Sequence, residues 1–349
     1  MNEHHKKRIL IVQVNWLGDV LFSTAAIRAL RRNNQDAFIA CLVHKRCIQI
    51  LEGNPYLDLI IELDEGGWHK GLWGKLKLIN QLRRLKFDTV YLFHRSFSRT
   101  LWCYLSGIKN RIGYYTKKRG FLLTDKVILP NINLQHRSLY FYYLVDRQAQ
   151  KVKKSDLASD FIVNDLYQKL LSELLVNRGV NLNAPIVTFH VAGNWLPKRW
   201  PKENFARLAD ALIEKFGVTA IFCGDNKEKD LIKEIIEMMK NRALDLSGVI
   251  NLKELGALLL KSALLISADS GPLHMAVALK RPVVALYGPT SLDITGPLAD
   301  YEIIVIQKDV GCKIPCYNVE CSDNRCMKAI TPEEILQKIE EKKWLKLNK

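Results

Sequence analysis

Short apolar runs alternate along this chain with longer stretches in which apolar residues return every three or four positions. Ile9–Val14, Phe38–Val43, Leu57–Leu63 and Thr89–Phe93 have the length and continuity of buried strands. Between them, Val20–Arg32, Arg46–Glu52 and Lys75–Leu85 carry helical periodicity. A polar stretch follows from Gln150 to Asn183, with one helix predicted over Asp165–Asn177. The alternation then resumes. Strands are predicted at Pro185–His190, Thr219–Cys223, Ala263–Ser267, Val283–Tyr287 and Ile303–Ile306. Helices are predicted at Lys202–Lys215, Lys227–Lys240, Asn251–Lys261 and Leu273–Leu279, and Thr331 caps a last one reaching Trp344.

Strands that alternate with helices form a parallel sheet covered on both faces. The predicted fold class is therefore α/β, with two doubly wound, Rossmann-like lobes in tandem. The expected organisation is a first lobe over 1–160, a connector over 161–184, a second lobe over 185–330 and a closing helix over 331–349. Ligands of such sheets bind beyond the carboxyl ends of the strands, so two facing lobes would put the site in a central cleft.

The length of 349 residues agrees with two domains rather than one core. No run approaches the roughly 18 apolar residues that span a bilayer. The first apolar run is shorter than the roughly 7–15 residues of a signal-peptide core, and a cytoplasmic protein is expected. Charge sharpens the picture. Met1–Lys154 holds 27 basic and 11 acidic residues, whereas Ser155–Lys349 holds 25 of each. The whole net charge of +16 thus lies in the first part. Nucleic acid, an anionic membrane surface or a phosphorylated substrate would all answer to it, and a generally basic surface is the plain alternative.

Four loops after strands carry candidate chemistry. In Asn15-Trp16-Leu17-Gly18-Asp19, Gly18 allows a tight turn or a close approach, and Asp19 could accept a proton from an attacking hydroxyl. An ordinary helix cap is the other reading of that aspartate. In Asp269-Ser270-Gly271-Pro272-Leu273-His274, the amides of a helix start offer a diphosphate site. Asp269 could there bind a ribose or sugar hydroxyl, and His274 could face a phosphate or merely pack. The segment Ala192-Gly193-Asn194-Trp195-Leu196-Pro197-Lys198-Arg199-Trp200-Pro201 offers Lys198 as a cation against a departing diphosphate. Glu228, after Gly224, could bind ribose hydroxyls, and Thr290 in Gly288-Pro289-Thr290 could close the donor pocket. No Gly-Lys-Ser/Thr phosphate loop, His-Glu-x-x-His or Gly-x-Ser-x-Gly occurs.

Of eight cysteines, Cys41, Cys47, Cys103 and Cys223 sit in apolar contexts and are expected as reduced core residues. Cys312, Cys316, Cys321 and Cys326 cluster late. Four thiolates could bind zinc, but their spacing departs from paired two-residue gaps, and a reduced or redox-sensitive cluster is the other reading.

Taken together, these segments resemble the lipopolysaccharide heptosyltransferases of glycosyltransferase family 9, in particular the heptosyltransferase II branch. The carriers are Ile9–Asp19 with WLGD, GIKNRIGY at Gly107–Tyr114, KRWP at Lys198–Pro201, ADSGPLHMA at Ala268–Ala276 and YGPTS at Tyr287–Ser291. The terminal cysteine cluster is similar too. The resemblance implies a GT-B fold, an acceptor-binding first lobe and a second lobe for ADP-heptose. It implies inverting, metal-independent transfer to the lipopolysaccharide inner core, with no cofactor. Asp19 matches the family's base; Lys198, Gly193, Glu228, Asp269, Ser270, Gly271, Leu273, His274 and Thr290 fall in its donor-binding segments. Ser270 stands where many members have Thr, and Ala192 precedes Gly193 where a Pro-Gly-Ala-like loop is common. For the acceptor, Arg95, Arg99 and Arg119 are expected from charge and location, together with Gly18 as a point of close backbone approach. An anionic acceptor suits the basic first lobe, and a transient hold on the inner membrane face would follow. A family member using another nucleotide sugar is a second reading. A basic, non-catalytic nucleic-acid-binding protein is a third, but it lacks a recognition-helix motif or an aromatic single-strand platform.

Overall fold

Strand β1 (Arg8–Val12) is buried from Ile9 onward because it lies inside a sheet flanked on both edges. The computed structural model describes residues 6–128, 136–147, 152–193 and 195–347. Gln150 and Lys151 of the polar stretch and Asn194 of the Ala192–Pro201 loop lie outside them.

The chain divides into two units, Met1–Ile162 and Val163–Lys349. In the first, β1 is followed by α1 (Leu17–Asn33), β2 (Phe38–His44), α2 (Ile48–Leu51), β3 (Leu59–Leu63), α3 (Gly71–Arg84) and β4 (Thr89–Leu92). Then come α4 (Phe97–Leu105), β5 (Asn110–Tyr114), β6 (Asp125–Val127) and α5 (Arg137–Val145). All strand pairings are parallel, in the order β3-β2-β1-β4-β5-β6. Leu10, Val12, Leu42, Leu78, Leu82 and Leu92 belong to one core between sheet and helices.

The second unit opens with α6 (Asp165–Asn177), β7 (Ile186–His190), α7 (Lys202–Phe216), β8 (Thr219–Cys223), α8 (Lys229–Met238) and β9 (Leu244–Asp245). It continues with α9 (Leu252–Lys261), β10 (Leu264–Ala268), α10 (Gly271–Ala278), β11 (Val283–Tyr287), α11 (Leu292–Thr295) and β12 (Ile304–Gln307). It ends with α12 (Arg325–Lys328) and α13 (Pro332–Lys342). The sheet is again parallel, ordered β12-β11-β10-β7-β8-β9. Every residue of β7, β10 and β11 is buried, which is why these strands read as unbroken apolar runs rather than as alternation.

Counted within each unit, both sheets have the order 3-2-1-4-5-6. The winding reverses between β1 and β4 in the first and between β7 and β10 in the second. At such a reversal the loops on the two strands diverge and leave a crevice at the carboxyl edge. Four loops are thereby singled out: those after β1, β4, β7 and β10.

Several elements differ from the sequence expectation. The polar stretch is no separate body, because its helix α6 packs on α9 within the second unit. The closing helix likewise joins that unit: Ile335 and Ile339 enter its core, and the Trp200 indole donates to the Ile330 carbonyl at 2.9 Å. Elements α4, β5, β6 and α5 were not read from the pattern. β5 is the polar string Asn110-Arg111-Ile112-Gly113-Tyr114, and Arg111 spends its guanidinium on the carbonyls of Ile108, Lys109 and Leu122. Among the described residues no helix is long and apolar enough to cross a membrane.

Candidate active site

In the second unit the loops after β7 and β10 meet through one carboxylate. Asp269 follows β10 and is buried. Its Oδ2 accepts from Lys198 Nζ at 2.8 Å and from Thr295 Oγ1 at 3.4 Å. Its Oδ1 accepts from His274 Nε2 at 3.1 Å and from the Tyr287 hydroxyl at 3.5 Å. Burial opposes the charge, but the His274 hydrogen bond and the Lys198 ammonium outweigh it and hold the carboxyl well below its usual range. Both oxygens are thus occupied within the protein. Asp269 anchors Lys198 and His274 and is not a free acceptor for a sugar hydroxyl.

Lys198 reaches this carboxylate because its loop folds back on itself. A Cβ on Gly193 would stand 3.1 Å from Lys198 Cβ, closer than ordinary contact. The Lys198 ammonium also lies 5.2 Å from the Trp195 ring centre, so its direction is fixed on two sides.

Helix α10 starts beside it. Ser270 is the N-cap; its Oγ accepts from Leu273 N at 3.4 Å and pairs with Ser267 Oγ at 2.9 Å. Pro272 has no amide hydrogen. The amides of Leu273 and His274 are spent on Ser270 Oγ and Ser270 O, which leaves Gly271 N–H among the candidate anion donors of this helix start. The Ser270 and Leu273 assignments change accordingly. Ser270 caps the helix internally, and Leu273 is fully buried in its packing.

Two groups on neighbouring strand ends complete this edge. Glu228, at the N-cap of α8, accepts from Asp225 N through Oε2 at 2.7 Å, and partial burial raises its carboxyl above the usual value. Thr290, just past β11, has a buried Oγ1 with no partner among the described residues, although its carbonyl accepts from Gln307 Nε2 at 2.8 Å.

In the first unit Asp19 follows β1. It is not a helix cap: Trp16 occupies the N-cap of α1, and Gly18 and Asp19 already lie in its first turn. Arg137 Nε stands 3.6 Å from Asp19 Oδ1 and directs the carboxylate. The expected acceptor arginines separate into two kinds. Arg95, after β4, is exposed. Arg99 is buried and donates to Gln13 O at 2.8 Å, Asn15 Oδ1 at 2.9 Å and Glu65 Oε2 at 3.0 Å. Arg119 has no exposed surface and donates to His94 O at 2.6 Å and Tyr114 O at 2.8 Å. Arg99 and Arg119 are scaffold, since a side chain spent on buried carbonyls cannot also receive a ligand. Sequence reading missed Arg137, Glu65, Tyr287 and Thr295. Only Tyr287, a polar-tipped residue ending an apolar strand, left a signal.

Cys41, Cys47, Cys103 and Cys223 are buried and unpaired, and burial pushes their thiols up, Cys47 to about 11 and Cys103 and Cys223 to about 12. They are inert core residues. Cys312 is exposed, while Cys316, Cys321 and Cys326 are half-buried. Among the described residues no group of three metal-binding side chains is gathered.

The model of glycosyltransferase family 9 (heptosyltransferase) matches residues 75–326, more than two thirds of the chain. The chain belongs to glycosyltransferase family 9. It is 27% identical over 354 residues to lipopolysaccharide heptosyltransferase 2 of Escherichia coli K12, covering 95% of this chain and 97% of that one. It is 27% identical over 345 residues to lipooligosaccharide heptosyltransferase 2 of Haemophilus influenzae, covering 95% and 98%. The solved E. coli ADP-heptose lps heptosyltransferase II superposes with a TM-score of 0.81 at 25% identity, over 96% of this chain and 98% of that one. A family 9 glycosyl transferase from Veillonella parvula superposes at 0.86 with 22% identity, over 96% of each. The two Rossmann-like units therefore form a GT-B glycosyltransferase, and a non-catalytic nucleic-acid-binding protein is not favoured.

Proposed function

We propose that this glycosyltransferase moves heptose from ADP-heptose to the inner core of lipopolysaccharide, with inversion at the anomeric carbon and without a metal ion or cofactor. The names of the relatives support the sugar and the acceptor. The observation that carries the donor half is the Lys198–Asp269 pair beside Gly271 N–H, at the strand reversal of the second unit.

Asp19 accepts the proton of an acceptor hydroxyl as its oxygen bonds to the anomeric carbon. The bond from that carbon to the diphosphate breaks on the opposite side, and ADP leaves with the bonding pair. Negative charge grows on the diphosphate oxygen during this step. Lys198 and Gly271 N–H are the donors assigned to it in this reading, and such fixed donors act most strongly on the charge present in the transition state. Asp269 keeps Lys198 oriented, while the two remaining ammonium hydrogens stay available. Thr290 and Glu228 serve the nucleotide, and Arg95 serves the anionic acceptor. The reaction takes place in the cytoplasm, with a transient contact at the inner membrane.

The test is turnover with a panel of nucleotide sugars on core-truncated acceptors. ADP-heptose should be preferred, ADP release should require acceptor, and EDTA should leave activity intact. Preference for a different sugar would assign another donor within the family. Loss in EDTA with recovery in Mg²⁺ or Mn²⁺ would replace Lys198 by a metal.

A further inference from the structure

The segment from Trp68 into the first turns of α3 presents large apolar side chains to solvent. Trp68 is 76% exposed, Leu72 74%, Trp73 78% and Leu76 45%. Leu72 and Leu76 are four apart and Trp73 and Leu76 three apart, so they share one side of the helix. The other side is the one that packs: Gly74, Leu78, Ile79 and Leu82 are buried. In its first turns this helix is thus apolar on both sides, with only one side partnered among the described residues, and beyond Leu76 its exposed side turns polar and basic at Lys77, Asn80, Gln81, Arg83 and Arg84. A contiguous exposed patch of this kind marks an interaction surface.

The patch is built rather than frayed. Asp64 O accepts from His69 N at 2.8 Å, Asp64 Oδ1 from Gly67 N at 3.0 Å, and Gly67 O from Lys70 N at 3.0 Å. Gly74 admits the loop against the helix, since a Cβ there would meet His69 backbone at 2.5 Å. These contacts hold Trp68 outward.

Its charge selects the partner. From Gly66 to Arg84 there are five basic residues and no acidic one. Lys70 and Lys77 have no ion pair among the described residues, and the Lys77 ammonium stands 5.8 Å from the Trp68 ring centre. Tryptophan beside lysine on an amphipathic edge is the composition that settles at the headgroup boundary of an anionic bilayer. A second copy of this chain would oppose like charges across the same face. The patch is also tied to the reaction side: Glu65, at its base, holds Arg99, and Arg99 holds Asn15, four residues before Asp19.

We infer that Trp68, Leu72, Trp73 and Leu76 form a docking face for an anionic lipid surface, with Lys70 and Lys77 against the phosphates. The purpose of this docking rests on the proposed lipid-anchored acceptor. Docking itself requires neither ADP-heptose nor lipopolysaccharide, so it can be tested without them.

The experiment is co-sedimentation of the full chain with phosphatidylglycerol–phosphatidylethanolamine vesicles and with pure phosphatidylcholine vesicles. The wild type should bind the anionic vesicles and leave the neutral ones in solution, with salt weakening the binding. Trp68→Ser/Trp73→Ser should lose binding by roughly tenfold or more, while its circular dichroism and its turnover on a water-soluble, deacylated acceptor stay those of the wild type. Trp68→Phe/Trp73→Phe should retain binding and lose most of the tryptophan quenching by brominated lipid. Equal vesicle binding by the serine variant, or no binding by the wild type, would overturn the proposal. So would a wild-type dimer that the serine variant converts to monomer without any vesicle binding. Loss of heptose transfer alone would count against the function and leave the docking face standing.

Discussion

Lys198 Nζ lies 2.8 Å from Asp269 Oδ2, and the two residues come from loops on either side of the strand reversal in the second unit. The pair has two consequences, one for the reaction and one for stability. For the reaction, Lys198→Ala should lower kcat more than it weakens binding of the intact ADP-sugar donor, because the diphosphate carries more charge as the sugar leaves. Initial rates at saturating donor, set beside titration with intact ADP-heptose in the absence of acceptor, check this. An equal loss in both would make Lys198 a simple binding group.

For stability, Asp269 is the group to change. Its carboxyl is depressed in the folded state, so its contribution is present above the ordinary carboxylate range and is lost as pH falls below about 4. Asp269→Asn leaves a half-buried ammonium without its partner and should cost about 2–4 kcal/mol near neutral pH. It should also flatten the acid limb of the stability curve. Denaturant unfolding across pH measures both effects. A variant as stable as the wild type, with an unchanged acid limb, would show that the pair contributes nothing.

A second acid-sensitive group lies below that loop. His190 ends β7, is buried, and is lowered by burial from 6.5 to about 4. The unfolded chain binds the proton first, so stability is full above about 6.5 and declines as pH falls toward 4, by up to roughly 3 kcal/mol. His190→Gln should make that slope shallower between pH 6.5 and 4, with His94, also lowered by burial to about 4, carrying part of what remains, while leaving the lower limb to Asp269. An unchanged slope would move its origin elsewhere.

For Asp19, mutation to Asn should lower turnover by about 10²–10⁴-fold with ADP affinity unchanged, the cost of losing a general base. Arg137→Gln should lower it less, since it releases the direction of the carboxylate and leaves the carboxylate in place. Single-turnover rates with bound donor separate the two. Near-normal turnover in a folded Asp19→Asn protein would remove the base assignment.

Much of this was legible in the chain. The core strands were readable because both sheets bury their central strands on two faces, which leaves unbroken apolar runs such as Val283–Tyr287. The edge of the first sheet was not, because β5 and β6 are short and polar and are held by Arg111 and by hydrogen bonds, not by apolar pattern. Lys198, Asp269 and His274 were visible as polar residues clustered after strands. Their mutual engagement was not, since it depends on strand order, which brings β7 beside β10. Charge alone misplaced Arg99 and Arg119. A basic residue looks the same in sequence whether it faces solvent or spends its hydrogen bonds on buried carbonyls.

That difference between arginines gives the last prediction. Arg95 and Arg99 are four residues apart at the carboxyl edge of the first sheet, one exposed and one buried. Arg99 joins Gln13 O, Asn15 Oδ1 and Glu65 Oε2, so it ties the turn before Asp19 to the loop after β3. Arg99→Ala strands a buried carbonyl and a half-buried carboxylate, and should destabilise the protein by about 3 kcal/mol. It should also lower kcat by releasing Asn15 and the turn that carries Asp19. Arg95→Ala should leave stability unchanged within about 0.5 kcal/mol. It should weaken the anionic acceptor instead, and the loss should shrink as salt rises, because an exposed charge is screened. Denaturant unfolding, together with acceptor KM at low and high salt, distinguishes the two. If Arg99→Ala unfolded at the wild-type midpoint and changed only acceptor KM, Arg99 would be an acceptor ligand after all, and the scaffold role drawn from its three hydrogen bonds would fall.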